Sequence, residues 1–275
     1  MNCKICNGIS EKIFDKIILQ KYKSNYYKCI SCSFIQTDEP IWLEEAYSNA
    51  ITSLDIGLLS RNNYLTDEMS KIINCCFNDA TKMLDFAGGY GNFVRLMRDK
   101  GYNFYRQDVY CENLFAKHFD ITDIEIKKFD LVTAFEVLEH LQNPIKEIET
   151  ILNYSENAIF STELIPESNS EAENWWYIAQ ETGQHIAFYS RKSMEIIAEK
   201  FGKNYYYKNN NIHLFTNKTF EKDQINYALK GKNKKKYLFG LIKKKIKEFN
   251  INRESLLQKD FDHIKSLLNT TDERY

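Results

Sequence analysis

Short apolar runs that end in turns predict the strands of a buried sheet. Residues 81–86, 101–107 and 129–135 form three such runs, each about as long as a single strand. After the first run, Phe93, Leu96 and Met97 recur at helical spacing, which predicts a helix beginning at Asn92. The central part of the chain therefore alternates strand, helix and strand.

Signals on either side extend this pattern. Residues 41–77 show a helical periodicity that Asp55 and Gly57 allow to break. Pro144 after Asn143 predicts a helix over 144–154, and Ser190 predicts the cap of another over 191–201. Residues 158–165 predict a strand and 204–218 a terminal hairpin. We divide the chain into 1–38, a helical linker or cap over 39–80, a core over 81–218 with a loop at 166–190, and a tail over 219–275.

A turn of small residues between the first strand and its helix predicts a ligand site. Residues 87–91 are Ala-Gly-Gly-Tyr-Gly, and Asp85 stands just before them. Glycines let backbone N–H groups approach a ligand closely, and the following helix N-terminus adds a partial positive charge. A dinucleotide fingerprint needs a third small residue where this chain has Val94. Taken alone, the turn also fits a strand-turn-helix unit without a ligand.

Three blocks in this order resemble the class I S-adenosylmethionine (SAM) methyltransferases. The first is motif I of that superfamily, whose four positions are Asp85, Ala87, Gly89 and Gly91, with Ala87 as a mild departure. The second is Asp108, about 20 residues beyond the glycines, where an acid can bind both ribose hydroxyls. A solvated Asp at a strand end is the alternative for this residue. The third block, FDLVTAFEVLEHLQNP, covers 129–144.

This resemblance implies an α/β fold, a Rossmann-like class I methyltransferase with a seven-stranded, mostly parallel sheet, and SAM as its cofactor. It places SAM against the glycine turn, the acid after the strand at 101–107 and the end of the strand at 129–135, which is the fourth strand of the superfamily. The cofactor-binding residues that it implies are Asp85, Ala87, Gly88, Gly89, Gly91, Asp108, Phe135 and Glu136.

Two Cys-x-x-Cys pairs predict a structural zinc site in the N-terminal segment. Cys3 and Cys6 are followed, after a gap of 22 residues, by Cys29 and Cys32. Four thiolates can occupy the corners of one tetrahedron, and a segment this short has little core of its own. Because four protein ligands leave no open position, we expect one structural zinc rather than a catalytic one. A pair of disulfides or free thiols are the alternatives.

The loop at 166–190 carries the candidate substrate residues. It leaves the carboxyl end of a strand, where open α/β sheets build ligand sites. Aromatic faces pack against the C–H surface of a sugar, and indole N–H groups donate to hydroxyls. A packed lid without substrate contact is the other interpretation. The substrate candidates are Trp175, Trp176, Tyr177 and Gln184.

A narrower resemblance concerns the end of this loop. With the zinc segment, His185 and the following Phe-Tyr-Ser resemble the sugar-nucleotide C-methyltransferases of deoxysugar pathways and their relatives in surface-polysaccharide clusters. Those enzymes usually have Tyr and Glu where this chain has Thr182 and Gln184. Carbon methylation needs a base for C–H and groups that stabilise an enolate, whereas one neutral imidazole can take a hydroxyl proton. We therefore expect O-methylation of a sugar with His185 as general base, and His140 as the rival base.

Charge and hydropathy limit the partners. The chain has 37 basic and 38 acidic residues, so no global field favours nucleic acid or a membrane. We find no apolar run of about 18 residues and no signal-peptide core, and expect a soluble cytoplasmic protein. The tail over 219–275 carries 14 basic and 8 acidic residues in two predicted amphipathic helices. We expect it to pack on the core or a second subunit, and weak membrane-surface contact or oligomerisation is possible.

Other functions remain open at this stage. A sugar C-methyltransferase comes next, followed by an RNA methyltransferase, since some of those also join a four-Cys zinc segment to a SAM core. The N-terminal segment has no Arg, which gives it little affinity for phosphates. A scaffold without catalysis, binding a partner through its basic tail, is a further alternative.

Overall fold

The computed structural model describes residues 1–230 and 253–270. The chain divides into two compact units. The first comprises Met1–Ile56 and Val132–Thr219, and the second comprises Gly57–Leu131 and Phe220–Tyr275.

The described residues form ten strands and eight α-helices. The strands are β1 (Ser10–Ile18), β2 (Tyr22–Cys29), β3 (Ile35–Thr37), β4 (Met83–Phe86), β5 (Phe104–Gln107), β6 (Leu131–Phe135), β7 (Asn157–Ser161), β8 (Ala187–Phe188), β9 (Asn204–Lys208) and β10 (Ile212–Thr216). The helices are α1 (Leu43–Ala46), α2 (Leu58–Cys76), α3 (Asn92–Asp99), α4 (Pro144–Leu152), α5 (Asn169–Glu173), α6 (Arg191–Lys200), α7 (Lys222–Lys230) and α8 (Leu257–Thr270).

A larger sheet has the α/β character that the sequence predicts. Its strand order is β5-β4-β6-β7-β10-β9. β4 and β5 are parallel, as are β6 and β7, whereas β10 runs antiparallel to both β7 and β9. The predicted terminal hairpin is therefore confirmed. Within 1–230 and 253–270 the sheet has six strands rather than the seven that the resemblance implies. Between β5 and β6 in the chain, Asp120 forms an isolated parallel bridge with Arg106 instead of a further strand.

A second, antiparallel sheet in the first unit was not predicted. Its strand order is β1-β2-β3-β8, so the N-terminal segment pairs with the loop that follows the core strands. Phe14 and Tyr26 stack with ring centroids 4.7 Å apart, and Tyr26 also contacts Phe188. This apolar cluster fixes the short strand β8 directly after His185.

In the second unit the predicted break before α2 and the predicted start of α3 are both observed. Gly57 is the N-cap of α2, and Gly91, in a left-handed conformation, is the N-cap of α3. The buried faces of these two helices include Met69 and Phe93. The unit therefore places the glycine turn at the beginning of a well-buried helix.

The C-terminal helix α8 has a polar residue on its buried side. The amphipathic pattern predicts a buried stripe that includes Leu257 and Phe261, but both are exposed and Asp260 is buried. Arg98 explains this orientation, because both of its carboxylate contacts are made to Asp260, at 2.6 and 2.8 Å. The first of the two predicted tail helices lies outside the described residues. The lysines at 232, 234–236 and 243–245 lie outside them as well.

Candidate active site

The glycine turn of the second unit has a backbone conformation that lets a ligand come close to its N–H groups. Ala87, Gly89 and Gly91 all have positive φ, at 53°, 54° and 84°. A Cβ on Gly88 would lie 2.7 Å from a carboxylate oxygen of Asp85, and one on Gly91 would lie 2.6 Å from a side-chain oxygen. Gly91 is therefore required for both space and conformation, whereas Gly88 is required for space.

Asp108 supports this turn directly. Its Oδ2 accepts a hydrogen bond from the Gly89 N–H at 2.9 Å, and its Oδ1 accepts from the N–H groups of Tyr110 and Cys111. A carboxylate has about four lone-pair positions, so these three contacts leave about one position for a ribose hydroxyl. The binding of both ribose hydroxyls by Asp108 stays a prediction.

Arg106 contacts this turn from β5 and was not predicted as a site residue. It is buried in β5, and its guanidinium donates to the carbonyls of Gly89 and Cys111. Asp120 balances its charge, with 2.6 Å between Arg106 Nε and Asp120 Oδ1. The sequence feature that could have identified it is an Arg at an inward-facing position of a short strand. Such a buried charge needs a buried partner of opposite charge.

Two histidines meet in the first unit. The rings of His140 and His185 lie 4.9 Å apart and nearly perpendicular. His185 Nδ1 is 2.6 Å from the carbonyl oxygen of Tyr177, and His140 Nδ1 is 3.0 Å from that of Gln184. Because a carbonyl oxygen only accepts, both Nδ1 atoms carry the hydrogen, and Nε2 is the basic nitrogen of each ring.

Burial keeps His140 neutral. The loss of solvation lowers the pKa of His140 to about 4, and the backbone carbonyls of Gln184 and Glu136 oppose this shift only in part. The Tyr47 hydroxyl lies 2.9 Å from His140 Nδ1. His140 is therefore an uncharged imidazole at neutral pH.

Two carboxylates lie beside this histidine pair. The Tyr177 hydroxyl donates to Glu139 Oε1 at 2.6 Å and lies 3.3 Å from Glu136 Oε2. Ser161 Oγ donates to the other oxygen of Glu136 at 2.6 Å. Burial, followed by the charges of the two glutamates, raises the pKa of Tyr177 well above its usual value. Tyr177 is thus a neutral hydrogen-bond donor at the centre of the cluster.

The predicted substrate residues of the loop at 166–190 differ in their exposure to solvent. Tyr177 is buried, and Trp175 packs on it with ring centroids 5.0 Å apart. Trp176 is 75% exposed. Gln184 is buried, and its Nε2 donates to the carbonyls of Ala46 and Asn49. Trp176 is therefore the residue of this set that offers a face to solvent.

Phe135 and Glu136 end the strand β6. Phe135 is its last residue and is half-buried, while Glu136 has a φ of 53°. This left-handed conformation is unusual for a glutamate and costs about 1–3 kcal/mol, which is typical of functional turns. The Glu136 N–H donates to Ser161, so the side-chain and backbone contacts together hold the turn.

The four predicted zinc ligands come together in the first unit. The sulfur atoms of Cys3, Cys6, Cys29 and Cys32 all lie within 4.8 Å of one another. Two pairs of sulfurs are 3.5 Å apart, close to the edge of about 3.8 Å that a tetrahedron with Zn–S bonds of 2.3 Å requires. Mainly through its contact with the Cys32 sulfur, the pKa of Cys3 falls to about 5. The donor set and its spacing fit a tetrahedral zinc ion.

Among the residues that the structure describes, no helix combines the length and the apolar character needed to cross a membrane.

Comparisons with solved structures find chains of related fold at low identity. An O-methyltransferase family protein from Burkholderia thailandensis is 10% identical, with a TM-score of 0.47, and the match covers 64% of each chain. The methyltransferase domain of bacterial CtHen1 is 20% identical, with a TM-score of 0.40, and covers 57% of this chain and 97% of its own. Human N-acetylserotonin methyltransferase in complex with SAM is 12% identical, with a TM-score of 0.42, and covers 65% and 66%.

Comparison of the sequence with family models assigns the family of this chain. No curated protein matches the chain. Residues 61–207 match the family described as "Methyltransferase domain", and this segment is more than half of the chain. It contains the glycine turn, Asp108 and both histidines. The chain therefore belongs to this family of methyltransferases, consistent with SAM as its methyl donor.

Proposed function

We propose that the protein is a SAM-dependent O-methyltransferase that acts on a sugar hydroxyl, with His185 as general base. The observation that carries this proposal is the hydrogen bond between His185 Nδ1 and the Tyr177 carbonyl. It fixes the tautomer in which Nε2 can accept a proton as the hydroxyl oxygen attacks the SAM methyl group. His140 shares this tautomer and is the second candidate for the base.

The side chains of two neighbouring residues favour oxygen over carbon as the methylated atom. Thr182 Oγ1 donates to the carbonyl of Ala179, and Gln184 binds two backbone carbonyls through its amide. These are the positions at which the sugar C-methyltransferases usually have Tyr and Glu. Neither side chain here supplies the acidic or basic group that those enzymes have for C–H removal and enolate stabilisation, which supports proton removal from a hydroxyl instead.

The exposed face of Trp176 supports a sugar as the acceptor. A flat apolar ring with an N–H group at its edge packs on the C–H surface of a sugar and donates to a hydroxyl. Tyr177 packs edge-on against this ring, since the centroids of Trp176 and Tyr177 are 5.2 Å apart. We propose a nucleotide sugar or the end of a glycan as acceptor, in the synthesis of capsular or lipopolysaccharide surface polymers.

The cofactor set of this proposal is SAM and one structural zinc. The glycine turn, Asp85 and Asp108 would hold SAM, and the roles of Phe135 and Glu136 in cofactor binding stay predictions from the family resemblance. The four cysteines would hold zinc, which is consistent with a cytoplasmic location because thiols stay reduced there. Nucleic acid is not an expected partner, while oligomerisation and weak membrane contact through the tail remain part of the proposal.

The test compares methyl transfer by the wild type with that of His185→Asn and His140→Asn on a panel of nucleotide sugars and short glycans. Loss of a general base lowers the rate by about 100-fold or more, so we expect that loss for His185→Asn with SAM binding retained. His263→Asn, at an exposed position of α8, serves as the control. A fully active His185→Asn variant would show that the base lies elsewhere.

A further inference from the structure

We propose that Glu139, His140 and His185 form a binding site for a divalent transition-metal ion. Each residue offers one ligand atom, and these three atoms lie within 4.8 Å of one another. Two imidazoles and one carboxylate are a donor set that binds Zn²⁺, Mn²⁺ or Fe²⁺ and leaves further positions for water or a substrate oxygen.

The hydrogen bonds around the two histidines are those of metal ligands. A metal-bound histidine almost always donates its second ring N–H to a carbonyl or a carboxylate, which fixes the orientation of the ring. His185 Nδ1 donates to the Tyr177 carbonyl, and His140 Nδ1 donates to the Gln184 carbonyl. Both rings are thus held in the tautomer whose Nε2 can bind an ion.

The carboxylate is oriented in the same way. Glu139 is fully buried, and its Oε1 accepts the hydroxyl hydrogen of Tyr177 at 2.6 Å. Tyr177 therefore contacts two of the three ligands, Glu139 through its hydroxyl and His185 through its carbonyl. A single residue that orients two ligands acts as a positioning residue for the site.

The local charge also favours a cation. The Tyr177 hydroxyl lies near both Glu139 and Glu136, so two carboxylates approach the histidine pair inside the first unit. Both carboxylates would attract a divalent ion bound at the histidine pair.

What the ion does rests on the proposed function. A divalent ion lowers the pKa of an oxygen that it binds, so a hydroxyl of the acceptor would lose its proton to solvent water more readily. The ion and a proton would use the same Nε2 of His185, so that nitrogen is the base in the metal-free protein and a ligand in the loaded one. Metal binding itself can be measured without any methyl transfer.

The experiment is a titration of the full-length protein with Mn²⁺, followed by the electron paramagnetic resonance signal of the free ion. The protein is first dialysed against EDTA and given one equivalent of Zn²⁺ to fill the cysteine cluster, which as a soft donor set does not select Mn²⁺. We expect one Mn²⁺ per chain. Glu139→Gln and His185→Asn should each weaken binding by 10-fold or more.

A second, more conservative variant tests whether Tyr177 positions the ligands. Tyr177→Phe keeps the ring and the carbonyl but loses the hydroxyl, and we expect binding to weaken by about 10-fold to 100-fold. Tyr205→Phe is the matched control, because its hydroxyl contacts His213 instead. Absence of Mn²⁺ binding, or equal binding by Glu139→Gln and the wild type, would overturn the proposal. Methyl transfer by the EDTA-treated protein is measured separately. Methyl transfer without Mn²⁺ binding would refute the metal site alone, and Mn²⁺ binding without methyl transfer would refute the proposed function alone.

Discussion

Replacing Asp260 with asparagine should destabilise the second unit, because it breaks a buried ion pair. Asp260 is 2% exposed and its main partner Arg98 is 4% exposed. Arg98 contacts the two carboxylate oxygens at 2.6 and 2.8 Å, and Arg95 adds a third contact at 2.9 Å. Asparagine keeps the volume of the side chain, so the change removes charge without opening a cavity.

The expected loss is about 3 kcal/mol in the free energy of unfolding. Removing one partner of a buried pair costs about 3–5 kcal/mol, and Arg98 keeps other acceptors, such as the Phe104 carbonyl at 2.9 Å, which favours the lower end. In urea, with a slope of about 3 kcal/mol/M, the midpoint should fall by about 1 M. The loss should persist in high salt, because ions screen a buried pair weakly.

Two further variants sharpen this test. Asp262→Asn changes an exposed residue of the same helix and should alter stability by less than about 0.5 kcal/mol. Replacing Arg98 and Asp260 together with methionine removes both charges and should restore part of the loss. If Asp260→Asn costs no more than Asp262→Asn, the ion pair does not hold α8 in the second unit.

Three further predictions concern the cofactor turn, the zinc cluster and a buried histidine. Gly91→Ala should weaken SAM binding at least 10-fold in calorimetry, because its φ of 84° and a side-chain oxygen 2.6 Å from the new Cβ both oppose it. Replacing Cys29 and Cys32 with serine should remove one zinc per chain in metal analysis. Burial lowers the pKa of His213 from 6.5 to about 4, so its contribution to stability is present above pH 6.5 and is lost as the pH falls towards 4. His213→Gln should therefore reduce the loss of stability between pH 7.5 and 4.5 by about 2.5 kcal/mol in urea unfolding.

Each of these predictions has a result that would contradict it. Gly202→Ala places a Cβ at a φ of 64° with nothing within 4 Å, and should leave SAM binding unchanged. Equal binding by the Gly91 and Gly202 variants would show that the turn does not contact SAM. A fully zinc-loaded double serine variant would refute the cysteine site. An unchanged pH dependence in His213→Gln would mean that this histidine does not titrate on unfolding.

Local signals predicted the elements that form the proposed SAM site. The apolar run of β4, the glycines after it and the spacing of α3 lie within 17 consecutive residues, 83–99, so sequence alone identifies them. The cap at Ser190 and the break at Gly57 are equally local, and both are observed. Such features depend on backbone conformation and on the first turn of a helix.

Pairings between distant segments could not be predicted in this way. Strands β3 and β8 pair across about 150 residues, and nothing in either short strand specifies the other. His140 and His185 likewise meet only through the folded loop. The apolar stripe of α8 gave the wrong buried face, because the charge of Arg98 requires a carboxylate more strongly than the core requires Leu257.

The most direct test of the central claim is the chemical identity of the methylated product. Purified protein is incubated with isotopically labelled SAM and the sugar panel, and the product is examined by mass spectrometry and NMR. The account predicts that each SAM consumed gives one sugar with its new methyl group on oxygen. A methyl group on a sugar carbon, or no SAM consumption with any acceptor, would contradict it.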